Sequence, residues 1–443
     1  MVAVVMANED VEVMERGGVR CEEAEDLVLL QPLVDGEAPV ALAVQKPRLA
    51  SLDVFRGLSI AVMILVDYAG GIWPAINHSP WDGVTLADFV LPFFLFIVGV
   101  ALALTYKKII NEKQLASQKA IGRSLKLVIV GLFIQGGYFH GVHNTSYGVD
   151  LESIRWCGVL QRIALAYMVV ALCEIWAPRG HYDVASHKFA ILKTYYIHWA
   201  VAAAIVAIYL VLLYGVYVPD WEFVSAADST VFQVKCGVRG DVGPSCNVVG
   251  YLDRTLLGLS HLYQKAVYRR APACSVLSPD YGPLPAGAPV WCKAPFDPEG
   301  LLSSMSAIVS CFLGLHFGHV LVHHKEHNAR LKDWVLMSLT LLVTGALLHV
   351  LGMPWNKPLY SVSYMLFTGG AAGLVFAGYY FLVDVHGWRS STILLEWLGQ
   401  HAMVIYVLVA EGVFIAALQG LYVGSPENNL VDWIVRLVKA SKV

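Results

Sequence analysis

The sequence predicts an all-α fold, a polytopic helical membrane protein of about nine to ten transmembrane helices with one larger loop region. Three observations carry this expectation. Of 443 residues, 57% are hydrophobic and only 15% charged, whereas a soluble domain carries about a quarter charged residues. The mean hydropathy is +0.59. Apolar runs of roughly 20 residues recur along the chain, the length a helix needs to cross a bilayer with all its backbone groups satisfied.

Nine such runs are expected to span: 51–73, 84–104, 121–139, 158–176, 196–218, 301–322, 334–351, 359–383 and 394–423. The last is expected to bend at Glu411 and Gly412. Residues 1–47 hold Glu9, Asp10, Glu12, Glu15, Glu22, Glu23, Glu25 and Asp26 without a basic segment leading into a long apolar one. They read as a disordered cytosolic tail rather than a cleaved signal. Within it, Glu25, Leu29 and Leu30 have the spacing of an acidic dileucine sorting signal. Residues 48–423 form the transmembrane domain and 424–443 a C-terminal tail.

Basic residues favour cytosolic loops. Lys107, Lys108, Lys113, Lys119, Arg123 and Lys126 follow the second run, while 67–84 holds no Lys or Arg. The N-terminus is therefore expected in the cytosol and His78 on the lumenal side. The same alternation makes 219–300 a lumenal loop, and this stretch contains Cys236, Cys246, Cys274 and Cys292, half of the eight cysteines. Clustered cysteines in a loop on that side imply an oxidising compartment, with three pairings open. The sequon Asn144-Thr145-Ser146 falls on the same side. A net charge of -3 over many short loops leaves no basic face for a phosphate backbone, which excludes nucleic acid as a partner.

Ionisable groups inside spans are costly and commonly functional. Asp53 and Arg56 sit near the cytosolic end of the first run, where an i, i+3 ion pair is the structural alternative. Asp67 lies near its lumenal end, ahead of a turn rich in Gly, Pro and Trp that contains His78. An imidazole, with an unperturbed pKa of about 6.5, suits proton transfer near neutrality, and a carboxylate such as Asp67 would fix its tautomer. Thr85-x-x-Asp88 before an apolar run has the form of a capping box. His316, His319 and His323 share a helix face. They read as solvated histidines at a cytosolic helix end rather than as a metal site. Gln161 and Arg162 open the fourth span, where an arginine pairs internally or binds an anion. No phosphate loop, dinucleotide fingerprint or zinc-protease helix is present in the sequence.

An ordered series of motifs resembles the heparan-alpha-glucosaminide N-acetyltransferase family. The motifs are Arg48-Leu-Ala-Ser-Leu-Asp53-Val-Phe-Arg56-Gly57, Asp67-Tyr-Ala-Gly-Gly, His78-Ser-Pro-Trp81-Asp-Gly83 and Gly158-Val-Leu-Gln161-Arg162. Gly250-Tyr-Leu-Asp253-Arg254, His261-Leu-Tyr263, Phe296-Asp297-Pro-Glu299-Gly300 and Asn356-Lys357 continue it. The resemblance implies a membrane acetyltransferase that takes acetyl from cytosolic acetyl-CoA and delivers it to the amine of a lumenal amino sugar or glycan. His78 matches the family's catalytic histidine, and Asp67 matches a site position where the animal enzyme has Asn. Trp81, Arg162, Asp253, His261, Asp297 and Glu299 become candidates for acceptor binding. By location, Arg56, Lys107, Lys108 and Arg123 are candidates for the coenzyme A phosphates. Neither a metal nor another cofactor is expected. Membrane lipid, the acceptor and, as a homodimer, a second copy of the chain are the expected partners, in a lysosomal or vacuolar membrane. Compared with the family, the sequence is expected to lack a large lumenal domain before the first shared span and a final span after Val423. A transporter, with Asp67, Arg162, Glu396 and His401 along a substrate path, and an inactive truncated scaffold are the competing readings.

Overall fold

The computed structural model describes residues 49–70, 73, 75–107, 112–139, 147–149, 151–178, 190–224, 230–413 and isolated positions between 425 and 436. The acidic tail with its dileucine motif, Lys108 and the Asn144 sequon lie outside the described residues.

The chain is a helical bundle with very little sheet. Its helices are α1 (Ala50–Ala69), α2 (Val90–Tyr106), α3 (Lys113–Gly136), α4 (Val159–Trp176), α5 (Ala190–Thr194), α6 (Tyr196–Gly215), α7 (Val248–Leu257), α8 (Leu301–His323), α9 (His327–Val350), α10 (Val362–Tyr379), α11 (Ile393–Gln400) and α12 (Ala402–Ala410). A helix lies under each of the nine expected spans. Six are long and apolar enough to cross a membrane, seven if the bent pair α11 and α12 is one span. The fold is therefore that of an all-α polytopic membrane protein. The helices of the first and third expected spans carry more charge. α1 contains Asp53, Arg56 and Asp67, and α3 begins at Lys113, so that Lys113 and Lys119 lie in the helix rather than in the loop before it. Lys and Arg are good helix formers, and the helix runs on past the apolar stretch.

α8 is the axis of the bundle. Its central window is 89% buried, against 17% for α9, which lies at the perimeter and turns Leu336, Leu339, Val343 and Leu347 outward. Lipid tails are as apolar as leucine, so these helices are held together by close packing. Where α2 crosses α8, a Cβ on Gly99 would fall 2.1 Å from the Cys311 carbonyl oxygen, and one on Gly314 would fall 2.0 Å from that of Phe96. α11 crosses α1 through Gly399 and Gly57 in the same manner. The break expected at Glu411 and Gly412 is present, with Gly412 at φ of +70°, and a sharper bend precedes it. α11 and α12 meet at His401 at an angle of 75°, while α12 ends at Ala410.

Between α6 and α8 the chain forms a compact polar subregion with α7 and two short ladders. β3 (Tyr217–Val218) pairs with β6 (Val238–Arg239), and β4 (Trp221–Val224) with β5 (Val231–Val234), all antiparallel. A third ladder joins β1 (Gly137–Phe139) to β2 (Tyr147–Val149). Disulfides link Cys236 to Cys246 and Cys274 to Cys292, with Cα atoms 5.5 and 5.4 Å apart. All four clustered cysteines are thus oxidised, in the pairing that joins sequence neighbours.

Candidate active site

The site is built where the loop after α1 meets the turn before α10. His78 lies in the first and Asp88 in the short 3-10 turn that leads into α2. The Thr85 capping box forms as expected: the Asp88 Oδ2 accepts from the Thr85 amide at 3.1 Å and from its hydroxyl at 3.0 Å. The same oxygen accepts from the Ser79 amide at 3.1 Å. This leaves Oδ1 free to face His78 Nδ1 at 2.8 Å. Asp88 is fully buried, and four donors around one carboxylate are what makes such a charge tolerable. Because a carboxylate only accepts, the contact puts the imidazole hydrogen on Nδ1 and the lone pair on Nε2.

The carboxylate that orients His78 is therefore Asp88, not the expected Asp67. Asp67 sits exposed near the end of α1, within electrostatic reach of Lys357 and Tyr406. A capping position ten residues on, rather than a helix-end acid, supplies the partner. The reason is that the loop doubles back through Thr85, whose hydroxyl donates to the Asn77 carbonyl at 2.5 Å.

The second wall comes from 353–361. Gly83 donates its amide to the Trp355 carbonyl at 2.7 Å, and Asn356 Nδ2 donates to Asp82 Oδ1 at 3.1 Å. These two bonds fasten the turn to the His78 loop and bring Lys357 Nζ to 2.9 Å from Nδ1 and 3.3 Å from Nε2 of the imidazole. The third wall is the Arg270 guanidinium, which donates to the His78 carbonyl and, at 2.9 Å, to that of Pro279. Withdrawal from water and then the Lys357 charge push the His78 pKa below its ordinary value. Asp88 pulls the other way, and Arg270 adds to the lowering. With 36% of its side chain exposed, the ring still presents an open edge.

Next to this centre lies a buried ion-pair network. Arg155 grips Asp297 through two bonds of 2.7 and 2.6 Å and also pairs with Glu299. Burial alone would raise the Glu299 pKa, but Arg155, Arg162 and Lys357 reverse this and hold it below the usual range. Arg162, also buried, donates to Ser304 Oγ at 3.2 Å, to the Pro298 carbonyl at 3.0 Å and to Ser303 Oγ. Asp253 accepts from the Leu301 amide at 2.8 Å at the start of α8.

Residues 48–224 match the family model described as heparan-alpha-glucosaminide N-acetyltransferase, catalytic. Two curated relatives are named heparan-alpha-glucosaminide N-acetyltransferase. The protein of Mus musculus is 30% identical over 382 residues, covering 81% of this chain and 53% of the relative. That of Homo sapiens is 30% identical over 403 residues, covering 84% and 55%. Over residues 48–224 this chain is similar to the catalytic region of that family. It spans about half the length of the curated relatives it matches.

Of the residues singled out in the sequence, the fold brings His78, Arg162, Asp297 and Glu299 into one region, with Asp67 at its margin. Trp81 is buried, donates Nε1 to the Val242 carbonyl at 3.1 Å and packs edge-on against Phe296 and Tyr268. It braces the loop rather than facing open space. His261 is held by the Ile154 carbonyl at 2.7 Å. The expected phosphate cations are apart: Arg56 pairs with Asp53 at 2.9 Å, Lys107 caps α2, and Arg123 lies on α3 beside Tyr106. The expectation of solvated histidines on α8 is overturned for His316 and His319, which are buried. Glu174 of α4 draws the Nε2 atoms of His319 and of His198 on α6 to 3.0 and 2.9 Å, and that charge is what makes burial of the pair tolerable. Among the described residues no group of three or more His, Cys, Asp or Glu has the geometry to hold a metal ion.

Proposed function

We propose that this chain is a membrane acetyltransferase that takes acetyl from acetyl-CoA presented on the cytosolic side and transfers it to the amine of a lumenal amino sugar. The observation that carries the reading is the open-edged imidazole of His78, fixed through Nδ1 by the buried Asp88 carboxylate 2.8 Å away, in a bundle whose residues 48–224 match the family's catalytic region.

With Nδ1 committed to Asp88, Nε2 is the reactive nitrogen. An acceptor that arrives as an ammonium sheds one proton to solvent and then attacks the thioester carbonyl. A C–N bond forms, the C–S bond breaks, and Nε2 takes the second proton and passes it to the departing thiolate. One proton is released per turnover. In the covalent variant Nε2 itself attacks the carbonyl, the thiolate leaves, and the amine then displaces the imidazole. The Asp88 carboxylate steadies the positive imidazole in either route. Arg56, Lys107, Lys108 and Arg123 are proposed to meet the coenzyme A phosphates on the cytosolic face, and the lysosome or vacuole is the proposed location.

The test is His78→Ala in sealed proteoliposomes given labelled acetyl-CoA outside and an amino sugar inside. His78 sits in a loop outside the apolar spans, so its loss opens no large core cavity. Acetylated acceptor is expected to fall by about 10² to 10⁴, and acetyl trapped on His78 without acceptor selects the covalent route. Near-normal turnover by the variant overturns the assignment. Accumulation of unmodified sugar in place of acetylated sugar assigns a transporter instead.

A further inference from the structure

Lys357 is set on the opposite side of the active centre from the chain that carries His78, 279 residues away in sequence, and the backbone is strained where it does so. Tyr360, three residues on, has φ of +54°, a left-handed conformation that a bulky aromatic residue rarely adopts. The ring is buried and its hydroxyl is 2.9 Å from Ser310 Oγ. The turn closes through the Tyr360 amide on the Lys357 carbonyl at 3.0 Å and the Ser361 amide on that of Asn356 at 3.1 Å. Strain of this kind persists only where the surroundings impose it. What the turn achieves is to set one ammonium against the His78 ring, 2.9 Å from Nδ1 and 3.8 Å from Asp88 Oδ1.

The atoms there admit one arrangement. Asp88 Oδ1, 2.8 Å from Nδ1, uses the Nδ1 hydrogen, so Nδ1 has no lone pair for the Lys357 ammonium despite their separation of 2.9 Å. The ammonium forms an ion pair with Asp88 Oδ1 at 3.8 Å and has Nε2 at 3.3 Å as its acceptor. A second proton on the imidazole would place a cation within 3.3 Å of another. The remaining charge facing His78 from a packed element is Arg270, also positive, on the carbonyl of the same residue. Among the described residues Asp88 is the one negative group in contact with the ring, and Lys357 shares it.

We propose that Lys357 is a positioning residue whose ammonium keeps His78 unprotonated, so that Nε2 remains a base or nucleophile in an acidic compartment. A carboxylate alone beside the imidazole would have the opposite effect, favouring the imidazolium and leaving less free base as pH falls. The lowered pKa of His78, to which Lys357 contributes after withdrawal from water, agrees with this. The consequence for acetyl transfer rests on the reading of His78 as the reactive residue. The protonation state does not.

The experiment therefore reads His78 directly. The full chain in detergent micelles is treated briefly with diethyl pyrocarbonate, which modifies imidazole only in its neutral form, across pH 4 to 8. The His78 peptide is quantified by mass spectrometry. The wild-type midpoint is expected below the ordinary value of about 6.5, and a midpoint at or above it overturns the proposal without need of any variant. Lys357→Met should raise the midpoint by about one to three pH units, while Lys357→Arg, which keeps the charge, should restore it. Unchanged midpoints in Lys357→Met, or an Arg variant that behaves like Met, also overturn it. The readout needs no acetyl-CoA. A chain that proves unable to transfer acetyl therefore sinks the proposed function and leaves this result standing, and the reverse outcome is equally distinguishable. If the chain is active, the acid limb of its pH–rate profile should move upward in Lys357→Met by the same interval.

Discussion

Replacing Asp253 by Asn should stabilise the protein in a strictly pH-dependent way. Asp253 is fully buried on α7. Its Oδ1 accepts from the Leu301 amide, whereas Oδ2 has no hydrogen-bond partner among the described residues and lies where a Cβ on Gly300 would be 1.7 Å away. Burial, with the neighbouring Asp297 charge adding, pushes its pKa from the ordinary 3.8 up to about 7, against the pull of the Leu301 amide, Arg162 and Arg254. At roughly 1.4 kcal/mol per pKa unit, three units correspond to about 4 kcal/mol of stability that is present in acid and lost on ionisation. The sign follows from linkage: a carboxyl whose folded pKa is raised contributes fully below its unfolded pKa, near 4, and loses that contribution as pH rises through about 7. Asn keeps the acceptor for Leu301 and never ionises. Scanning fluorimetry in detergent should find Asp253→Asn more heat-stable than wild type at pH 8 by several degrees, with the difference closing as pH falls toward 4. Parallel melting curves for the two proteins over that range would refute the reasoning.

Three further outcomes are expected. Asp88→Asn, which keeps the shape but cannot hold an imidazolium, should lower acetyl transfer by about two to four orders of magnitude with little change in KM for acetyl-CoA. Asp67→Asn should leave the acid limb of the pH–rate profile where it is, and a shifted limb would restore Asp67 as the partner of His78. Arg155→Met strands Asp297 and Glu299 in the interior, a loss of about 3 to 5 kcal/mol at neutral pH by analogy with broken buried pairs. Its melting temperature should approach that of wild type as acid neutralises the carboxyls, and a deficit that does not shrink would mean that the guanidinium serves packing instead.

Much of the bundle was legible because lipid imposes one requirement on every span, and runs of about 20 apolar residues answer it. The charged ends were less so. Lys113 and Lys119 count as loop residues by hydropathy, but they open a helix whose backbone is indifferent to that boundary. His78 was found in the sequence through its motif and its titration range, and Asp88 through the capping pattern. That they share a hydrogen bond was not legible, since one pattern describes a helix start and the other a loop, and the link between them is a chain reversal. Lys357 and Arg270 reach His78 from 279 and 192 residues away, where spacing carries no information. Lys357 entered only as half of a family motif, and Arg155 not at all. His316 and His319 look like a polar helix end until Glu174, on another helix, is seen beside His319.

The buried charges of the site account for one another. Asp88, Asp297 and Glu299 are negative, and Arg155, Arg162 and Lys357 are positive. Arg270, buried as well, is matched by Asp280 beside it. The sum over these eight groups is zero if His78 is neutral and Asp253 protonated, which are the states that the Lys357 contact and the burial of Asp253 favour. Buried charge without a counterpart is costly, so the balance resists any further cation. On the proposed reading this bears on the acceptor itself. An amino sugar that enters as an ammonium would bring a further, unmatched charge beside Lys357, and the least costly response is to release a proton before it docks. The amine then arrives with its lone pair free, next to an Nε2 that carries no proton. A neutral centre thus prepares both nitrogens for transfer in a compartment whose bulk pH would protonate each of them.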